Sequence, residues 1–295
     1  MRLRRMAYHE LGATARIRRA GLVGHRPVRA RSPEREEETV NPLAVTGVRV
    51  ELSAPEAPLR AAYAALLSAD ERRLERPNAH IVAGPGPAHR VLFEVDDVNG
   101  AARLLGRRGL PVAGPTEAAP PGLTGDDVRT ASSVPLGICA ARRPAESFGS
   151  SDTDITGIDH LVFMCNDRDQ AVALFGATLG LDFRLDRRIP DVGAPGPETP
   201  ESGEPATDVH QMFFRGGEII FEVVAGAPRP ADAAPVELWG IAWHSPDLER
   251  TRTRLLDAGL SVTPIRAGRK PGTRIATVRN GPDLATRTVI IGPDV

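Results

Sequence analysis

Few residues in this chain combine a chemically active side chain with a position in a strand-like run. The sequence of 295 residues holds seven histidines and two cysteines. Several of the histidines and carboxylates lie in or beside strand-like apolar runs, namely His80, His160, His210, Glu222 and His244. Imidazole and carboxylate groups bind divalent metal ions, and a histidine beside a carboxylate also transfers protons. Metal binding and acid–base catalysis are therefore the chemistries that these residue types suggest.

Other reaction classes lack support in the sequence. There is no Gly-x-Ser-x-Gly elbow, Cys-x-x-Cys pair or His-Glu-x-x-His helix. Cys139 and Cys165 lie inside apolar runs and are interpreted as buried, reduced thiols. A formal net charge of −1 gives no argument for a nucleic-acid partner, and no apolar run reaches the roughly 18 residues that a membrane helix needs. We expect a cytoplasmic protein that binds a small molecule.

The elements that position these residues are repeated along the chain. Residues 91–98 match residues 241–248 without a gap, and a helix-like run follows each copy. A second echo pairs residues 46–52 with residues 156–162. Internal repeats in a fixed order indicate that one supersecondary unit is used several times. Each unit is predicted to consist of a strand, a turn with an acid that can cap a helix, the helix itself and returning strands.

Four such units predict an α+β protein with two domains. The first 40 residues contain ten arginines and few apolar residues, which indicates disorder. Two loops rich in proline and glycine, 113–126 and 189–207, are unusually long, and the second lies beside the candidate site. The predicted order is a disordered Arg-rich tail (1–43), an N-terminal domain (44–143), a linker (144–153) and a C-terminal domain (154–294).

The C-terminal domain resembles the vicinal oxygen chelate superfamily, which groups glyoxalases, bleomycin-resistance proteins and extradiol dioxygenases. The residues that carry the resemblance are the runs 157–163, 180–181 and 216–222. The N-terminal domain, especially residues 91–112, resembles the same family as a degenerate copy. The resemblance implies tandem glyoxalase-like domains, each made of two βαβββ modules whose strands curl into a cup.

The resemblance also implies where a metal would bind. Members of the family take ligands from the first and last strand of each module, and His160 and Glu222 stand at two of these positions. The other two positions hold Gly240 and, near the end of the chain, Thr288. Neither is a normal ligand for Zn, Ni, Mn or Fe, so His210 is considered as a third ligand.

The corresponding positions of the N-terminal domain are occupied by Val50, His80 and Arg90, and we expect no metal there. Around the C-terminal cup, several large side chains are expected to line the ligand site, since aromatic residues are otherwise scarce in the chain. These expected lining residues are Phe214, Arg215, Trp239 and Trp243.

The resemblance implies a lyase or isomerase that acts on a small oxygen-bearing molecule. His160 and Glu222 would serve as metal ligands or as an acid–base pair, and the competing interpretation is a hydrogen bond inherited from a metal-binding ancestor. The alternative function is a metal-free protein that binds a drug or metabolite. An extradiol-type dioxygenase ranks lowest because it needs the ligands replaced at positions 240 and 288. Members of the family complete their cups within one chain or across two, so a homodimer is an assembly that the resemblance allows.

Overall fold

The chain forms two mixed β-sheets with helices packed against them, which confirms the predicted α+β class. The structure is a computed structural model. The predicted tail, the linker and most of the two long loops lie outside the described residues, so the predicted domain boundaries remain predictions. The described residues are 41, 43–84, 86–114, 128–142, 154–189, 208–279 and 282–294.

The first sheet has seven strands in the spatial order β2-β3-β1-β4-β7-β6-β5. Its strands and helices, in chain order, are β1 (Gly47–Leu52), α1 (Glu56–Leu67), β2 (Glu75–Arg76), β3 (Ala79–Ala83), β4 (Arg90–Val95), α2 (Val98–Arg107), β5 (Val112–Ala113), β6 (Val128–Ala131) and β7 (Leu136–Ala140).

The second sheet has eight strands in the order β13-β14-β15-β12-β8-β11-β10-β9. Its elements are β8 (Gly157–Cys165), α3 (Arg168–Ala171) continued by a π-helical segment (Val172–Thr178), β9 (Asp182–Ile189), β10 (Val209–Gly216), β11 (Ile219–Ala225), β12 (Val236–His244), α4 (Leu248–Asp257), β13 (Arg266–Ala267), β14 (Thr273–Val278), a 3-10 helix (Pro282–Leu284) and β15 (Arg287–Pro293).

Both sheets have the same central arrangement. Strands β1 and β4 pair antiparallel and are flanked by the parallel neighbours β3 and β7. Strands β8 and β12 pair antiparallel and are flanked in the same way by β11 and β15. The sequence repeat is therefore also a structural repeat, and each sheet has a local two-fold relation between its halves.

Acidic side chains cap the helices that follow three of the first strands, as the sequence predicts. Asp97, Asp167 and Asp247 accept hydrogen bonds from backbone N–H groups three residues further on, at 2.8 to 3.0 Å. Helix α1 differs because it begins after Pro55 without a side-chain cap. None of the helices in the described ranges is both long and apolar enough to cross a membrane.

The two halves share one hydrophobic core. The Phe93 ring of the first sheet lies 5.3 Å from the Phe221 ring of the second, measured between centroids. Tyr63 of α1 is fully buried, meets Trp243 edge-on at 6.4 Å and donates a hydrogen bond to the Leu284 carbonyl. These aromatic contacts bury apolar area between the two sheets, whose buried side chains form one continuous cluster.

A polar contact joins the helices of the two halves. Arg254 of α4 donates to the carbonyls of Ala65 and Leu66, both at 2.8 Å, and so satisfies the last turn of α1. Its Nε also contacts the buried Asp154 carboxylate at 2.8 Å. One guanidinium therefore ties the end of α1 to the segment that leads into β8.

Candidate functional site

The pairing of β8 with β11 brings His160 and Glu222 together. Along β11, residues 219, 221 and 223 are buried in the core, whereas Glu222 lies on the opposite, half-buried face. His160 pairs directly with Ile220, two residues before Glu222, so both side chains project from the concave face. The His160 Nε2 atom lies 3.6 Å from Glu222 Oε2.

Asp159 contacts the other side of the same ring. Its Oδ2 atom lies 2.7 Å from His160 Nδ1. Adjacent strand residues normally face opposite sides, but the register between β8 and β12 shifts at this point: Ala242 pairs with His160 and Trp243 pairs with Ile158. Asp159 is the extra residue of a β-bulge, which turns its carboxylate toward the neighbouring ring.

Electrostatics keep Asp159 ionised. Burial alone raises the pKa of this carboxyl group, but the hydrogen bond from His160 and the charges of His160, Lys270 and His244 outweigh it and lower the pKa below the ordinary value. An ionised Asp159 accepts the Nδ1–H of His160, which leaves Nε2 as the nitrogen that faces Glu222. The geometry is that of an imidazole held between two carboxylates.

A second chain of contacts holds Glu222. Gln211 of β10 donates from Nε2 to Glu222 Oε1, and Arg187 of β9 donates to Gln211 Oε1 at 2.7 Å. The Arg187 guanidinium also lies 5.7 Å above the Phe213 ring. Neither Gln211 nor Arg187 was predicted from the sequence to belong to the site. Phe213 pairs directly with Glu222, so strand alternation on β10 was the signal that could have found Gln211.

The structure does not bring His210 to this site. His210 lies on the face of β10 opposite to Gln211, because neighbouring strand residues alternate. Its Nδ1 lies 2.8 Å from Asp186 Oδ1, and Arg168 holds the other oxygen of Asp186 at 2.7 Å. The suggestion of His210 as a third ligand is therefore corrected: it belongs to an ion-pair cluster near helix α3.

Of the four expected lining residues, two lie in the core. Phe214 and Trp243 are fully buried. Trp239 is 38% exposed at a second bulge, between Leu238 and Gly240, and the Arg287 guanidinium lies 4.2 Å above its ring. Arg215 is exposed near the end of β10, where it pairs with Ile220, the partner of His160, and so stands on the cup face as expected. Its Nε donates to the Gly217 carbonyl. The prediction of Phe214 as a lining residue was wrong, because its neighbour Phe213 is the residue of β10 that pairs with Glu222 and faces the cup.

The local two-fold relation locates the other two ligand positions. His160 pairs with Ala242, and Val162 pairs with Gly240, so Gly240 is the counterpart of His160, as expected. Glu222 pairs with Val162, and Val289 pairs with Ala242, so Val289 is the counterpart of Glu222. The expected position near Thr288 is thus one residue off. Thr288 is buried and pairs with the core residue Ile241.

The metal-ligating side chains at this site are too few to hold a metal ion firmly. In the described parts of the chain, no cluster of three or more His, Cys, Asp or Glu side chains is arranged to hold one. Catalytic and structural zinc sites have three or four protein ligands, whereas His160 and Glu222 supply two. One Glu222 oxygen is moreover already engaged by Gln211.

The equivalent cup of the first sheet is filled by ion pairs. Arg49 contacts Glu51 at 3.2 Å and Arg90 contacts Glu51 at 3.1 Å. Arg142 contacts Glu94 at 2.5 Å. Arg49, Glu51 and Glu94 are all buried. Salt bridges therefore occupy the space in which a ligand would lie.

The register also corrects two expected positions in this cup. Leu92, the counterpart of Ala242 in the repeat, pairs with Arg49, so Arg49 and not Val50 stands at the His160 position. Val50 was expected because β1 lacks the bulge present at Asp159. Val82, and not His80, pairs with Glu51 and stands at the Glu222 position.

His80 lies beside the arginines of the first cup. Burial, reinforced by the charges of Arg49, Arg142 and Arg60, lowers the pKa of His80 to about 3. The ring is therefore neutral at physiological pH, which allows it to pack next to three cations.

Comparisons with known proteins agree with this architecture. A triple mutant of 4-hydroxymandelate synthase from Streptomyces coelicolor is similar over 86% of this chain and 93% of its own, with a TM-score of 0.58 and 13% identity. A fusion of a xylose isomerase-like TIM barrel with 4-hydroxyphenylpyruvate dioxygenase is similar over 85% of this chain and 49% of its own, with a TM-score of 0.56 and 12% identity. At such identities the likeness shows the fold alone: two tandem glyoxalase-like domains.

Smaller proteins match about half of the chain. Methylmalonyl-CoA epimerase from Streptomyces coelicolor, in complex with 2-nitronate-propionyl-CoA, is similar over 48% of this chain and 99% of its own, with a TM-score of 0.33 and 21% identity. No curated protein matches by sequence. The model of the Glyoxalase/Bleomycin resistance protein/Dioxygenase superfamily matches residues 159–277. This match covers about two fifths of the chain and lies in the C-terminal half, where the sequence patterns resemble the same group of proteins.

Proposed function

We propose that the C-terminal cup binds a small oxygen-bearing molecule and catalyses proton transfer on it, as a lyase or isomerase. His160 and Glu222 form the acid–base pair. The observation that carries the proposal is the 3.6 Å separation of His160 Nε2 and Glu222 Oε2, with each group oriented by a further side chain. Asp159 and Gln211 fix the orientation of His160 and Glu222 by hydrogen bonds. Such orientation favours proton transfer and is absent from an isolated pair on the surface.

The chemistry follows from the arrangement. One member of the pair removes a proton from a carbon next to a carbonyl group, and the other returns a proton to the resulting enediolate-type intermediate. Asp159 stabilises the imidazolium that forms when Nε2 accepts a proton. All of these roles are filled by side chains of the chain itself.

A metal-free binding protein is the second candidate. The observation that favours it is the stacking of Arg287 over the 38% exposed Trp239. Arg287 pairs with Gly240 and so stands on the cup face of β15. An aromatic ring and a cation at this position would hold a planar or anionic molecule without any reaction.

Deuterium exchange separates the two candidates. A panel of small 2-oxo and 2-hydroxycarbonyl compounds is incubated with the protein in D2O, and loss of the carbon-bound proton is followed by NMR. We expect catalysed exchange that is lost in His160→Gln and Glu222→Gln and kept in His210→Gln, which changes a histidine on the opposite face. Compounds that bind without exchange would instead support the binding protein.

A further inference from the structure

We propose that the second sheet carries an anion-binding groove, separate from the His160–Glu222 pair, that takes a phosphate or carboxylate group of a small molecule. The groove is a cavity of about 370 Å³. It lies between β14 and the segment that runs antiparallel beside it. Its lining residues are Thr263, Pro264, Ile265, Arg266, Thr277 and Arg279.

The charge of this segment is unlike that of the rest of the chain. Residues 261–279 contain four arginines, the only lysine of the chain and no acidic residue. The whole chain has a formal net charge of −1, so this concentration of positive charge is local. A basic groove raises the local concentration of anions and steers them toward the surface.

Two guanidinium groups of the groove are available to a ligand. Arg266 and Arg279 are exposed, and no side chain in the described ranges forms an ion pair with either. Arg274, which is absent from the lining, differs because it contacts Glu249 at 3.0 Å. The planar guanidinium fork matches phosphate and carboxylate oxygens in a bidentate manner.

The hydroxyl groups of the groove complete the site. The backbone N–H of Thr277 donates to Thr263 Oγ1 at 2.9 Å. Because that oxygen already accepts a hydrogen bond, the hydroxyl hydrogen of Thr263 is directed elsewhere and can donate to an anion. Arg252 meanwhile holds the Thr263 carbonyl at 2.9 Å, so helix α4 fixes this wall of the groove.

The register places the groove on the same concave face as the candidate active site. Thr277 pairs with Val289, Val289 pairs with Ala242, and Ala242 pairs with His160. Three strand spacings separate Thr277 from His160, which is about 14 Å along the sheet. A molecule that reaches both sites would be elongated, with its anionic end in the groove. The groove itself does not depend on the proposed reaction.

Calorimetric titration at low ionic strength tests the groove. Pyrophosphate and citrate serve as the probes for phosphate and carboxylate groups. We expect saturable binding of at least one probe, weakened at least about tenfold in the double variant Arg266→Gln with Arg279→Gln. The matched control is Arg103→Gln with Arg107→Gln, which removes two exposed charges from helix α2 and should leave binding unchanged. Circular dichroism verifies that both variants fold.

Equal weakening in the two double variants would overturn the proposal, because it would mean that only net charge matters. Absence of saturable binding of both probes would overturn it as well. His160→Gln should keep the affinity for the probe, so loss of proton transfer and loss of the groove are separate results. The probe that binds identifies the anion class.

Discussion

Among the individual residues, His160 is a candidate catalytic group because of the side chains that contact its ring. Asp159 and Glu222 lie on the two nitrogens of its ring, and Gln211 orients Glu222. The family resemblance was sufficient to select His160 and Glu222 from the sequence. It could not select Asp159, because the bulge that turns this side chain toward the ring leaves no mark in the alternation of residues.

The two replaced positions lead to a prediction about metal binding. We expect that the double variant Gly240→His with Val289→Glu will bind a divalent ion such as Zn²⁺ at about one equivalent and more tightly than the wild type, because four donors would then share one face. A Cβ at position 240 would lie 3.0 Å from the Arg287 carbonyl oxygen, so the neighbouring strand must yield by a few tenths of an ångström.

Metal content after dialysis is the measurement for this prediction. The control is Gly240→His combined with Thr288→Glu, since residue 288 faces the core. If the control binds metal as well as the first variant, the register assignment of position 289 is wrong.

Among the secondary-structure elements, the strands could be predicted from the sequence, but the face to which each side chain points could not always be predicted. Alternation located β8, β10, β11 and β12 from the sequence. The bulges at Asp159 and Trp239 move single residues out of phase, and a shift of one residue exchanges the two faces of a strand. Such shifts explain why Val50 was assigned the position that Arg49 occupies.

The first sheet leads to a prediction about pH. The pKa of His80 in the folded protein is about 3, below its ordinary value near 6.5. The folded state therefore binds fewer protons than the unfolded state between these pH values. Above pH 6.5 His80 does not destabilise the fold, and below that pH its titration decreases the free energy of unfolding as the pH falls. We expect His80→Gln to lose about 2 kcal/mol less free energy of unfolding than the wild type between pH 7 and pH 4.5.

Urea unfolding at the two pH values is the measurement. His244→Gln provides the control, because His244 lies at the end of β12 and contacts Thr156. Identical pH dependence in His80→Gln and the wild type would show that the ring is not held among the arginines as described.

At the scale of the whole molecule, duplication has produced two cups with different contents. Ion pairs such as Arg49 with Glu51 fill the first, whereas the second presents His160 and Glu222. The sequence indicated that the first copy lacks the ligands that the family uses, but it did not predict the ion pairs that fill this cup. It could not predict the shared core, since contacts such as Tyr63 with Trp243 join residues far apart in the chain.

This asymmetry predicts that a small molecule binds in the second cup and not in the first. The most direct measurement is the long-range ¹H–¹⁵N NMR spectrum of the histidine rings, recorded while a compound that binds the protein is added. We predict that the ring signals of His160 shift to saturation with the compound while those of His80 and His210 stay in place. Shifts at His80, with His160 unchanged, would contradict the assignment of the site to the second cup.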